Sequence, residues 1–254
     1  MAFKVLILGG TSEGRQLAEQ LALDARFAAV LSFAGRTNAV QDPGVPYRVG
    51  GFGGVPGLVA CLRRERYEAL IDATHPFARH MSAHAVEAAE LTTVPLLRVE
   101  GPAWSPIQGD RWTLVTDMEH ARLALGERKR RVFLSVGRLE IGAFRAAPQH
   151  DYLIRAVDDF DPELPRARVL AARGPFDIEA EQALFERERI EVIVSKNAGT
   201  AATSAKLVAA RRLGLPVIMV ERPFLPEAAT VATFEPALAW LHALHEASLQ
   251  RRGV

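Results

Sequence analysis

The chain has 254 residues, enough for one large α/β domain or two small ones with ample core. Its 31 Lys and Arg nearly balance 30 Asp and Glu, so no global field points to nucleic acid or a membrane as a partner. A lone cysteine, Cys61, excludes an internal disulfide; with no apolar stretch long enough to span a bilayer and no room for a signal peptide, a cytoplasmic protein is expected.

The first apolar run, Val5-Leu6-Ile7-Leu8, reads as a buried strand, and a helical pattern follows from Arg15 to Ala22. Between them lies Gly9-Gly10-Thr11-Ser12-Glu13-Gly14. Strand, glycine-rich turn and helix in that order open a nucleotide-binding βαβ unit, where free N–H groups and the positive helix end hold a phosphate. Thr11 stands where the middle glycine of G-x-G-x-x-G would be, so a merely tight strand-to-helix turn is the alternative. The next strand, 28–33, runs into Ala34-Gly35-Arg36-Thr37. An NAD site places an acid here to meet the ribose hydroxyls, yet none occurs between Arg26 and Gln41. Ser32, Arg36 and Thr37 offer a cation and two hydroxyls instead, which suits the 2′-phosphate of NADP(H). An ordinary solvated arginine is the plainer reading of Arg36.

A Gly/Pro-rich passage over 42–54 holds a short strand at 47–49 and a loop. A helix at 56–66, a strand at 69–73, a helix opening at Pro76 and a strand at 95–99 continue the alternation, which implies a parallel sheet. The texture changes at Gly101-Pro102-Ala103-Trp104-Ser105-Pro106, giving domains 1–103 and 104–254. Beyond the boundary, strands are predicted at 132–136, 152–156, 169–172, 190–195 and 217–220, with helices at 139–146, 178–187 and 200–213. A final helix, 236–249, carries Ala237, Leu238, Leu241 and Leu244 on one face and can pack back on the first domain. The expected fold is α/β: two Rossmann-like domains whose parallel sheets face a shared cleft.

Ligands of open parallel sheets bind outside the carboxyl ends of the strands. Besides the 9–14 turn, one such end carries Asp72, Thr74 and His75; His75 is either a donor of a hydrogen bond or proton, or a satisfied structural histidine. Another carries Ser195-Lys196-Asn197-Ala198-Gly199-Thr200, a second anion cradle that is no P-loop because the lysine precedes the glycine. Arg138, Arg173 and Arg222 follow strands and suit a ligand bearing several carboxylates. His80 and His84 lie one helical turn apart without a third ligand, so no metal is expected. No serine–histidine–acid order or nucleophile elbow is present.

Ile7-Leu8-Gly9-Gly10-Thr11-Ser12-Glu13-Gly14-Arg15, Asp72-Ala73-Thr74-His75-Pro76-Phe77-Ala78, and Ser195-Lys196-Asn197-Ala198-Gly199-Thr200 with Lys206 and Arg222-Pro223 occur in this order across nearly the whole chain. The ordered set resembles the precorrin-6A reductase family of cobalamin biosynthesis. The resemblance implies a two-domain enzyme that uses NADPH to reduce a double bond of the precorrin-6A tetrapyrrole, giving precorrin-6B. The cofactor site is then Gly9, Gly10, Thr11, Ser12, Glu13, Gly14, Ser32, Arg36, Thr37 and Thr74. Lys196, Asn197, Gly199 and Thr200 hold either cofactor or substrate, the arginines hold substrate, and His75 or Asp72 is a conceivable proton donor, as is solvent. The cobalt-precorrin-6A reductase of the anaerobic pathway looks similar. A non-catalytic NADP(H) sensor would share the first domain. A small-carbonyl reductase commonly carries Tyr-x-x-x-Lys, which Tyr47, Tyr67 and Tyr152 all lack.

Overall fold

A computed structural model describes residues 2–34 and 42–253. The chain divides into two compact units, Met1–Pro102 with Phe224–Val254, and Ala103–Pro223.

The first unit opens with strand β1, Phe3–Leu8, whose six residues include five that are buried. A strand without polar alternation must be covered on both faces, and helices do this. Val5 and Ile7 meet Leu17 and Leu21 of α1 (Ser12–Ala22). Leu6 and Leu8 turn the other way, into a cluster with Leu58 and Leu62 of α2 (Gly54–Glu65) and Ala85 and Ala88 of α3 (Arg79–Thr92). Fully burying each of these valine, leucine and isoleucine side chains contributes about 1.5–3 kcal/mol. Strands β2 (Phe27–Phe33), β3 (Tyr47–Val49), β4 (Ala69–Asp72) and β5 (Leu96–Val99) pair in parallel around β1. With β12 (Thr230–Val231), the order is β12-β5-β4-β1-β2-β3, the doubly wound arrangement, and it reverses direction between β1 and β4.

The second unit repeats this plan with β6 (Trp112–Val115), β7 (Arg131–Ser135), β8 (Asp151–Ala156), β9 (Ala167–Ala171), β10 (Val192–Lys196) and β11 (Val217–Val220), ordered β6-β11-β10-β7-β8-β9. One core joins Phe133, Phe185, Ile193, Leu207 and Met219 beneath α5 (Ile178–Arg187) and α6 (Ala205–Arg212). A short helix, α4 (Met118–Ala124), and a 3-10 helix over Arg138–Ala146 pack against one another in the same unit. Two parallel-sheet Rossmann-like units were expected, and two are found.

The differences lie at the ends. The expected second domain ran to 254, but the unit stops at Pro223 and the remainder completes the first. The reason is physical: β12 pairs with β5, Thr230 opposite Arg98, and the last helix, α7 (Phe234–Arg252), packs back on the first domain as expected, with Ala237 and Leu241 buried in its core. In each sheet the sixth position is therefore filled by a strand lying beyond the other five in sequence, β12 after them and β6 before them. The helix expected from Pro76 starts only at Arg79, because the Ala78 amide closes a turn on the His75 carbonyl at 2.7 Å. The helix expected over 200–213 splits into a 3-10 turn, Ala201–Thr203, and α6.

Candidate active site

In the first unit the turn at 9–14 lies at the carboxyl end of β1, where the strand order reverses. Its glycines are set by close approach. A Cβ on Gly14 would stand 2.8 Å from the Ala73 Cβ, and one on Gly10 would stand 3.1 Å from the His75 nitrogen. Thr11 explains the missing middle glycine. Its Oγ1 accepts the Gly14 amide at 3.2 Å and donates to the Ala73 carbonyl at 3.0 Å, capping α1 and tying it to β4. Ser12 donates to Glu13 at 2.9 Å. Among the described residues the amides of Gly10, Thr11, Ser12 and Glu13 have no acceptor. Four such N–H groups at the positive end of a helix can receive an anion.

Beside this turn, the Gly9 amide donates to the Ser32 carbonyl at 2.9 Å. Ser32 itself is buried and its hydroxyl accepts Arg48 Nη1 at 3.0 Å. Arg48 lies directly across the ladder from Ser32, on β3. It was passed over in the sequence because a three-residue strand in a Gly/Pro-rich passage gives no sign of which neighbour it joins. Arg36 and Thr37 lie outside the described residues.

On the other side of β1, Asp72 ends β4 and is buried. Its Oδ1 accepts the Thr74 hydroxyl at 2.7 Å and the Thr74 amide at 3.2 Å, and its Oδ2 faces Arg98 Nε at 3.3 Å. In these three contacts Asp72 is the acceptor, and they hold the Thr74 side chain and backbone in place. Thr74 also meets Ser82 at 3.2 Å, so its hydroxyl is fixed from two sides. His75 Nδ1 accepts the Phe77 amide at 3.2 Å, which puts the proton of the neutral ring on Nε2.

In the second unit the corresponding reversal lies between β7 and β10. There Lys196 donates to Glu140 at 2.9 Å, while Asn197 is buried. Asn197 Oδ1 accepts the Trp104 amide at 2.7 Å and its Nδ2 donates to the Trp104 carbonyl at 2.9 Å. Both ends of the side chain thus clamp the segment entering the unit. Arg222 donates to the carbonyls of Asn197 and Ala198, each at 3.0 Å, and so braces the same loop where the chain leaves the unit. Gly199 has φ 73°, a left-handed conformation that favours glycine. Thr200 and Thr203 share a hydroxyl bond of 2.8 Å. Arg138, exposed after β7, rests over Phe160 at 4.8 Å, and Arg173 is exposed after β9. Among the described residues no group of three or more His, Cys, Asp or Glu is placed to hold a metal, and no helix is long and apolar enough to cross a membrane.

The strand order, the glycine turn and the unpartnered amides define a Rossmann-like α/β protein. The chain belongs to the precorrin-6x reductase CbiJ/CobK family, which matches residues 4–242, and it is accordingly a reductase. A precorrin-6A reductase of Rhodobacter capsulatus is 49% identical over 242 residues, covering 94% of this chain and 95% of that one. A cobalt-precorrin-6A reductase of Priestia megaterium is 29% identical over 255 residues, covering 94% and 97%. The solved structure of a CobK precorrin-6A reductase superposes with a TM-score of 0.90 at 48% identity, covering 95% of this chain and 97% of that one. This is the family that the ordered motifs resemble.

Proposed function

We propose that the chain reduces one double bond of the precorrin-6A macrocycle to give precorrin-6B in cobalamin biosynthesis, with NADPH as the reductant. The observation that carries this reading is the set of acceptor-free amides at the start of α1, set beside a β2 end that holds no carboxylate. The donors suit a pyrophosphate, and the close-packed glycines let it approach the backbone. NADPH, when bound, supplies the hydride. The chain's own part is to bind and orient. The 9–14 turn holds the phosphates, with the Thr11 side chain turned away to cap the helix. Thr74, fixed by Asp72 and Ser82, sets the rim of the site next to His75. With Nδ1 committed as an acceptor, the neutral ring of His75 serves as a hydrogen-bond donor through Nε2–H, and the proton that accompanies the hydride comes from solvent. Arg138 and Arg173 meet carboxylates of the tetrapyrrole. The greater likeness to a precorrin-6A reductase than to a cobalt-precorrin-6A reductase favours the metal-free substrate.

The test is anaerobic mixing of the protein with NADPH and metal-free precorrin-6A, following NADPH absorbance and the macrocycle spectrum together. Stoichiometric NADPH oxidation with loss of the precorrin-6A spectrum is expected, with cobalt-precorrin-6A reacting more slowly. Bound NADPH that is never consumed with either macrocycle would leave a sensor, and the proposal would fall.

A further inference from the structure

We infer that Arg48 is the residue that reads the 2′-phosphate of the cofactor, an assignment that rests on the NADPH reading above. Three adjacent strand ends form a continuous edge here. Leu8 of β1 pairs with Ser32 of β2, and Ser32 pairs with Arg48 of β3. The pyrophosphate turn follows directly on Leu8, so the adenosine side of a dinucleotide lies toward β2 and β3. In this fold the group at the end of the second strand meets the adenine ribose. An NAD enzyme has an acid at that place; this chain has none there, and the neighbouring strand sets the Arg48 guanidinium beside Ser32.

The guanidinium is held ready for that task. Arg48 Nη1 donates to Ser32 Oγ at 3.0 Å and to the Gly50 carbonyl at 3.1 Å, and Nη2 donates to the Gly51 carbonyl at 3.0 Å. The group also lies over the Phe52 ring at 3.9 Å. A hydroxyl, two carbonyls and a ring face fix its position, and none of them carries a negative charge. Among the described residues no carboxylate pairs with it. The guanidinium lies half-buried in surroundings that screen less than water, and Nε and one Nη2 hydrogen are left to donate. Such a fixed cation is complementary to a phosphate dianion, and it offers little to the bare hydroxyl of NADH. A guanidinium locked by neutral partners loses little side-chain entropy when the phosphate arrives.

The alternative role is a brace for the 50–54 loop, and the two roles separate by cofactor. Binding of NADPH, NADH, 2′,5′-ADP and 5′-AMP would be titrated against the wild-type protein, Arg48→Ala and Arg48→Lys, with near-ultraviolet circular dichroism confirming the fold. The wild type should prefer NADPH. Arg48→Ala should weaken NADPH and 2′,5′-ADP about 10- to 100-fold while NADH and 5′-AMP change less than about 2-fold, and Arg48→Lys should recover part of the loss. If Arg48→Ala does not keep its fold, Ser32→Ala serves, since it releases one bond to the guanidinium and should lower NADPH affinity alone. Equal losses for both cofactors would make Arg48 a loop brace and overturn the assignment while NADPH use stands. A wild type that binds no nicotinamide cofactor, or shows no preference, would overturn the cofactor reading as well.

Discussion

Lys206 is 3% exposed, and its Nζ donates to the Thr203 carbonyl at 2.8 Å while lying 4.9 Å from the centre of the Trp104 ring. Burial, helped by the nearby Arg155 cation and opposed by Glu181, pushes its pKa down to about 7. In the unfolded chain the amine holds its proton to about pH 10.4. Between these values the unfolded state binds more protons, so this group makes folding stability rise with pH from near neutrality toward pH 10. Lys206→Met should flatten that rise, seen as a smaller difference between urea midpoints at pH 7 and pH 9.5. An unchanged slope would show that the amine stays charged in the fold. Lysines, asparagines and arginines of this kind were visible in the sequence as residue types at strand ends, but their partners were not. Nothing in the local sequence around Asn197 tells that Trp104, far away in the chain, meets both its amide oxygen and its amide nitrogen. Arg48 was missed for the converse reason: its meaning comes entirely from lying across from Ser32.

At the scale of elements, α1 is the clearest case of a helix placed by its first turn. Gly14 would ordinarily be improved by alanine, by up to about 1 kcal/mol in a helix interior. Here the added Cβ would lie 2.8 Å from that of Ala73, which is fully buried and cannot step aside. Overpacking of this sort costs about 1–3 kcal/mol, so Gly14→Ala should destabilise the protein on balance. A raised urea midpoint in that variant would show that α1 can slide off β4. The continuous apolar strands β1, β4, β7, β10 and β11 were all legible, because burial on both faces leaves no room for polar residues. The short edge strands β6 and β12 were not, since an edge needs little apolar sequence. The signal that could have found β6 was Asp117, whose side chain accepts the His120 amide at 2.8 Å and caps α4 directly after the strand.

Across the whole molecule, the first unit is built from both ends of the chain and the second from its middle. A chain ending at Pro223 would lack β12, leaving the β5 edge open, and would lose Ala237 and Leu241 from a core in which both are fully buried. We expect such a truncation to expose the amides of β1, β4 and β5 to hydrogen exchange while those of β7, β10 and β11 stay protected. Protection retained throughout would show that α7 and β12 are ornaments of the first sheet and not part of its stability.

The asparagine clamp and the Arg222 brace fasten both ends of the middle unit to a single loop. During translation, residues 103–223 leave the ribosome as a stretch whose two ends can be knotted together at once. The first sheet, begun earlier, must wait with an unpaired edge until the final strand and helix emerge. The unit that starts second therefore finishes first, and the nascent chain is most exposed to mispairing in the interval before residue 230 appears.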